Sequence, residues 1–196
     1  MRLLPAPDKR ELLSNQEYPV SLPPDADALT LAPLRAGDMP AVMRIQAQCY
    51  SAIVPESLQS MSAKQQAAPG TCHAAWRQGA LVGYLLALPV RALALPALDS
   101  PACTIDPAAD ALYLHDLALA PAARGSGAGQ ALVAHALAVG AQLGLRRALL
   151  VAIQGSAPYW ARQGFAPLPP PSPDVCAKLA SYGADAQLMQ RPLQPG

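Results

Sequence analysis

Short apolar segments of two periods run along the chain, and the period separates strands from helices. LTLAPL (29–34) reads as a short strand. After Asp38, an N-cap residue type, Met39, Val42, Met43, Ile45 and Ala47 recur at helical spacing and predict a helix. A second helix is predicted from Pro55, placed in its first turn, to about Gln66. TCHAAWR (71–77) and ALVGYLLAL (80–88) flank Gln78-Gly79, the spacing of an antiparallel hairpin with a tight turn. Residues 89 to 110 form a proline-rich excursion. In the strand ALYLHDLALA (111–120), alternation places Tyr113 and His115 on one face and Leu112 and Leu114 on the other. Leu132, Val133, Ala136, Leu137 and Gly140 share one face of a helix that begins within Gly127 to Ala131 and is capped at Gly144. The strand RALLVAI (147–153), a short helix, and a strand pair near GFAPL and AQLMQRPL complete the order. A ββ unit followed by βαβ, with helices before and after, predicts a mixed α/β sheet.

Composition narrows this picture. A length of 196 residues suits one cored domain, expected over 28–196, with residues 1–27, rich in proline and charge, as a loosely held N-terminal arm. With 52% apolar residues and a net charge of +1, neither a disordered chain nor a nucleic-acid partner is expected. No apolar run approaches the roughly 18 to 20 residues of a membrane span. The first residues also lack the apolar core of a secretory signal, so a cytoplasmic location is expected, as monomer or homodimer. Cys49, Cys72, Cys103 and Cys176 stand far apart, without a C-x-x-C pair or a histidine at ligand spacing. They read as reduced thiols, and no metal site is expected.

The chemistry concentrates in HDLALAPAARGSGAGQAL (115–132). Its glycines join the C-terminal end of a strand to a helix N-terminus, where unpaired N–H groups carry roughly half a positive charge and residues without Cβ let an anion approach. Gly125, Gly127 and Gly129 run G-x-G-x-G and position 130 is Gln, so the dinucleotide fingerprint fails by one residue. No lysine follows, which excludes the P-loop. A glycine turn without a ligand is the plain alternative, at a stability cost that packing alone rarely requires.

Arg124-Gly125-Ser126-Gly127-Ala128-Gly129 resembles the R/Q-x-x-G-x-G/A motif of the GCN5-related N-acetyltransferases, and the likeness covers about residues 29 to 193. It implies a GNAT fold: a central, mostly antiparallel sheet with one splayed parallel strand pair, flanked by helices. It also implies acetyl-CoA as cosubstrate, with the loop Arg124, Gly125, Ser126, Gly127, Ala128, Gly129 and Gln130 around the pyrophosphate. The backbone of Leu117, Ala118 and Leu119 would then bond the pantetheine arm, and Ser156, Tyr159, Trp160 and Arg162 would neighbour the coenzyme. Pro121 ends the strand.

Acetyl transfer to an amine requires the free base, and an alkylammonium of pKa about 10.4 is almost wholly protonated at pH 7. His115 is suited to take that proton, and Asp116 is the competing base. Tyr113-Leu114-His115 is similar to the two-histidine segment of the arylalkylamine N-acetyltransferases, with Tyr113 in place of the first histidine. Relatives carry a tyrosine four residues before the glycine of F-Y-x-x-x-G-F; here that position is Trp160, with Tyr159 about 100° round the helix. The departing thiolate would take its proton from Tyr182, from water or from the amine. The resemblance puts Tyr50, Pro55, Glu56 and Tyr113 at the wall of the amine site. There Glu56 would either pair an ammonium or be an exposed helix-start glutamate. The expected function is N-acetylation of a small primary amine by direct transfer in a ternary complex, since no thiol has a visible base partner. The alternatives are a coenzyme-binding domain without catalysis and a nucleotide-binding α/β domain.

Overall fold

The two longest apolar segments form the centre of the sheet. Ala80–Val90 (β3) and Ala111–Leu119 (β4) pair antiparallel, and both are packed on two faces, which is why they read as near-continuous apolar runs. The structure, a computed structural model, describes residues 28–50, 55–91, 93–170 and 172–194, so the expected N-terminal arm lies outside the described residues.

Around this pair lie Thr30–Pro33 (β1), His73–Arg77 (β2), Arg147–Ala152 (β5), Ala166–Pro167 (β6) and Gln187–Pro192 (β7). The strand order is β1-β2-β3-β4-β5-β7-β6, antiparallel at every step except β4–β5. This is the mixed α/β sheet that the segment order implies. Gln78 and Gly79 both have positive φ, +51° and +72°, the backbone of a type I′ hairpin turn. Pro89 sits inside β3 because β2 stops pairing at Leu85, leaving β3 a single hydrogen-bonded neighbour from there on.

The helices are Met39–Cys49 (α1), Leu58–Ala67 (α2), Ala128–Gln142 (α3), Ala157–Arg162 (α4) and Pro173–Ala180 (α5). Tyr84, Leu86, Leu88 and Tyr113 point to a core shared with Met39, Val42, Ile45, Met61, Val175 and Leu179. Leu85, Ala87, Leu112 and Leu114 point to the opposite core, with Leu132, Val133, Ala136, Trp160 and Phe165. Alternation along the two central strands therefore builds both cores.

Several expected boundaries move. Asp38 does not cap α1 with its side chain; its carboxylate accepts from the Arg35 amide at 2.8 Å and closes the 3₁₀ turn Ala36–Asp38 ahead of the helix. Ala47 is exposed and Gln46 is buried in its place, because the stripe rotates by one position towards the core. α2 begins at Leu58 rather than Pro55, since Ser57 caps it by accepting from the Ser60 amide at 3.2 Å. The α5 helix is additional to the predicted elements. Gly144 closes α3 as expected: its amide reaches the Ala141 carbonyl and the Leu145 amide reaches the Gly140 carbonyl, a Schellman pair. Among the described residues no helix is long and apolar enough to cross a membrane, and all four cysteines are free thiols.

Candidate active site

The parallel strands part. β4 and β5 pair only from Ala111↔Arg147 to Leu114↔Leu150, after which β4 continues against β3 to Leu119 and β5 against β7 to Ala152. Between the separated ends lies a cleft of about 240 Å³, lined by Leu114 to Ala118 of β4, by Leu150, Val151 and Ile153 at the end of β5, and by Tyr159 and Trp160. The β4 backbone past Leu114 has no strand partner on this side.

A bulge sits where the strands part. Leu86 opposes Asp116 and Ala87 opposes Leu114, so His115 is an extra residue on β4. A bulge locally breaks the alternation of faces and re-aims side chains. Its consequence is that His115 and Asp116, consecutive in sequence, both turn towards the α1–α2 side. His115 Nε2 lies 2.6 Å from Glu56 Oε1, and Asp116 accepts from the hydroxyls of Tyr50 and, at 2.8 Å, Tyr84.

These side chains meet at a second, smaller cavity of about 50 Å³, lined by Gln46, Tyr50, Pro55, Glu56, Leu98, His115, Asp116, Ile153 and Tyr182. The two cavities share Tyr50, His115, Asp116 and Ile153. Tyr113 stands beside His115 with ring centroids 5.7 Å apart, its hydroxyl 3.2 Å from that of Tyr182. Burial pushes the Asp116 carboxyl up against the pull of its two tyrosine partners and of His115. Burial, and then the Asp116 carboxylate, raise the Tyr50 hydroxyl well above the ordinary range.

Glu56 is not the exposed helix-start glutamate of the plain reading. Its side chain is only 9% exposed, and its second oxygen accepts from Ser60 Oγ at 2.6 Å and from Lys64 Nζ at 2.5 Å. Burial alone would raise this carboxyl, but the hydrogen bond and charge of His115 and the bonds from Lys64 and Ser60 outweigh it and hold the group at about 2. The excursion at 89–110 braces the same segment, since Asp99 Oδ1 accepts from both the amide and the hydroxyl of Ser57. Lys64, which the sequence did not single out, is buried beside this site through its bonds to Glu56 and Ser60.

At the other end of the cleft stands the glycine loop. Gly127 precedes α3 with φ +84°, a left-handed conformation that costs glycine nothing. Among the described residues the amides of Gly125, Gly127, Gly129 and Gln130 have no protein acceptor, while that of Ala128 meets Ser126 Oγ at 3.4 Å. A Cβ on Gly129 would come within 3.1 Å of both Leu119 Cδ1 and the Tyr159 hydroxyl. Among the described residues that hydroxyl is buried and has no hydrogen-bond partner. Trp160 packs edge-on against Phe165 at 5.6 Å and belongs to the core as much as to the cleft. Ser156 Oγ accepts from the Ile153 amide at the cleft edge, and Arg124 reaches Cys49 Sγ at 3.6 Å. Gln130 and Arg162 line a separate groove between α3 and β7.

A strand pair that splays beside a glycine loop with free amides at a helix start is the geometry that the loop motif implied. The acetyltransferase (GNAT) family model matches residues 39–165. The chain belongs to the acetyltransferase (GNAT) family. As an acetyltransferase it is similar in fold to the ribosomal-protein-S18-alanine N-acetyltransferase from Escherichia coli, at TM-score 0.62 and 17% identity over 86% of this chain and 96% of that one. It is also similar to PaiA N-acetyltransferase from Thermoplasma acidophilum, solved with coenzyme A, at TM-score 0.60 and 12% identity over 84% and 99%. Naa50 from Arabidopsis thaliana, solved with a bisubstrate analogue, matches at TM-score 0.60 and 12% identity over 83% and 97%. No curated protein matches the chain in sequence.

Among the described residues three observations on this acetyltransferase fit a coenzyme A arm: a β4 edge with no strand partner, loop amides without an acceptor, and a buried tyrosine hydroxyl with no partner against the glycine that keeps the approach open.

Proposed function

We propose that this acetyltransferase moves an acetyl group from acetyl-CoA directly to a small primary amine, with both substrates bound at once. The observation that carries the reading is the meeting of the two cavities at His115, where the parted strands end beside a small pocket bearing carboxylates. When bound, acetyl-CoA supplies an acetyl thioester. The backbone of Leu117, Ala118 and Leu119 would hold its pantetheine arm as a substitute strand. The loop Arg124 to Gln130 would hold its pyrophosphate, with Ser156, Tyr159 and Trp160 beside it; Arg162, in the separate groove between α3 and β7, is not part of this seat.

The amine enters the smaller pocket, walled by Tyr50, Pro55, Glu56 and Tyr113, as an ammonium favoured by Glu56 and Asp116. His115 takes its proton, which frees the nitrogen lone pair for attack. Asp116 has both oxygens engaged by tyrosines, which fits a charge that steadies the ammonium better than a group that carries protons away. Tyr182, which lines the acceptor pocket and shares a hydrogen bond with Tyr113, gives its proton to the thiolate as the C–S bond breaks and takes one from the nitrogen as the amide forms. The likeness of Tyr113-Leu114-His115 to the arylalkylamine enzymes supports a single-histidine version of this step.

Among the described residues no cysteine is hydrogen-bonded to a base that would serve a covalent route. Cys49 lies in the cleft, but its thiol donates to the Leu119 carbonyl and meets the Arg124 guanidinium, with no base beside it. Initial-rate kinetics over an amine panel therefore give intersecting lines with acetyl-CoA as the second substrate; parallel lines contradict direct transfer. One observation favours a second reading, a coenzyme-binding protein of weak activity: Trp160, packed on Phe165, occupies the place of the family tyrosine. Thiol release across the same panel separates the two, because a binder gives coenzyme affinity without release.

A further inference from the structure

We infer that Lys64 is a positioning residue that, through Glu56, fixes which ring nitrogen of His115 carries the proton, leaving Nδ1 as the basic atom. This assignment deepens, and rests on, the reading of His115 as the base.

Lys64 and Ser60 lie one turn apart on α2, so their side chains share a face, and Glu56 lies just ahead of the Ser57 cap. The Lys64 side chain is 1% exposed. Its ammonium donates to Glu56 Oε2 and, at 2.6 Å, to Ser60 Oγ, while the Ser60 hydroxyl donates back to Glu56 Oε2. This closed ring of three groups occupies one carboxylate oxygen and leaves Oε1 for His115. The lysine therefore fixes the rotation of the carboxylate and, after His115, supports its charge.

The polarity of the next bond follows. An ionised carboxylate can only accept, so Nε2 of His115, at 2.6 Å, must donate. A neutral imidazole carries one proton, so Nδ1 holds the lone pair. Among the described residues that atom is buried and has no hydrogen-bond partner. Its proton in the transfer comes from the amine: one N–H bond breaks, one Nδ1–H bond forms, and the charge of the resulting imidazolium faces Glu56.

Other charges face this relay. Asp116 adjoins His115 from β4, the hydroxyls of Tyr50, Tyr113 and Tyr182 surround it, and Lys178 on α5 and the Cys103 thiol sense Lys64 and Glu56. These groups are the same in each comparison below, so differences between variants report the relay itself.

The test is nitrogen-15 NMR of protein labelled at histidine, with the three histidines assigned by single substitution. In the wild-type protein the His115 ring is expected as the Nε2–H tautomer. Lys64→Met frees the Glu56 carboxylate from its fixed rotation and is expected to give a mixture of both ring tautomers, as is Glu56→Gln, whose amide can donate as well as accept. A role confined to packing leaves the single Nε2–H tautomer in place. The double variant Lys64→Met with Glu56→Gln buries no unpaired charge, covers the case in which a single variant fails to fold, and is expected to show the same mixture. An Nδ1–H tautomer in the wild type, or an unmixed Nε2–H tautomer kept in the variants, overturns the assignment. These readouts need no substrate, so they stand apart from the kinetics that test His115 as base.

Discussion

Replacing His115 with alanine lowers turnover at neutral pH by about 10²- to 10⁴-fold, while coenzyme A still binds with near wild-type affinity. The magnitude is that of losing a positioned general base. The separation of the two effects comes from the fold. His115 is the extra residue of the β4 bulge, and its side chain faces Glu56 and the small pocket. The loop amides and the free backbone edge lie elsewhere along the cleft. The loss shrinks as pH rises, because more of the amine is already deprotonated in solution. Turnover against pH for the two proteins, with coenzyme titrations at pH 7, measures both. An unchanged pH–rate profile removes His115 as the base.

Glu56→Ala is expected to destabilise the fold by about 3–5 kcal/mol, since it strips the counter-charge from a buried ammonium and the acceptor from His115. In a domain of this size that corresponds to a fall in Tm of about 6–20 °C. Lys64→Met costs less, because Glu56 keeps His115 and Ser60 as partners. The same carboxylate shapes the acid limb of stability. Its value falls from an ordinary 4.5 to about 2 on folding, so the unfolded chain binds the proton more readily. The stabilisation from Glu56 is complete above about pH 4.5 and is lost as pH falls towards 2. Denaturant unfolding between pH 5 and pH 2.5 shows this slope in the wild-type protein and a shallower one in Glu56→Gln. Equal slopes contradict the placement of Glu56.

Much of this architecture was legible because it is local. Alternation in β3 and β4, the Gln78-Gly79 turn, the apolar face of α3 and its Gly144 stop each depend on residues close in sequence, and each appears in the structure. The glycine loop was readable for the same reason. What escaped depends on pairing across the fold. The bulge at His115 exists only by count against β3, so strict alternation could not show that His115 and Asp116 share a side. Lys64 reads as a solvated charge on a weakly amphipathic segment, and only the approach of Glu56 from the preceding loop makes its burial possible. Asp38 has the residue type of a cap, yet the 3₁₀ turn before α1 took its carboxylate. The α5 helix did carry a signal: Ser172 caps it, Pro173 follows at the first turn, and Val175 and Leu179 repeat four apart. The surrounding prolines masked that signal.

The central claim is that the parted ends of β4 and β5, with the acceptor-less amides of the glycine loop, form a seat for coenzyme A. Isothermal titration of the purified protein with coenzyme A tests it most directly. One molecule is expected to bind per chain, and Gly129→Val, whose side chain would press on Leu119 and Tyr159, is expected to weaken binding about tenfold or more. Absence of measurable binding to the wild-type protein, or equal affinity in the folded variant, would contradict it.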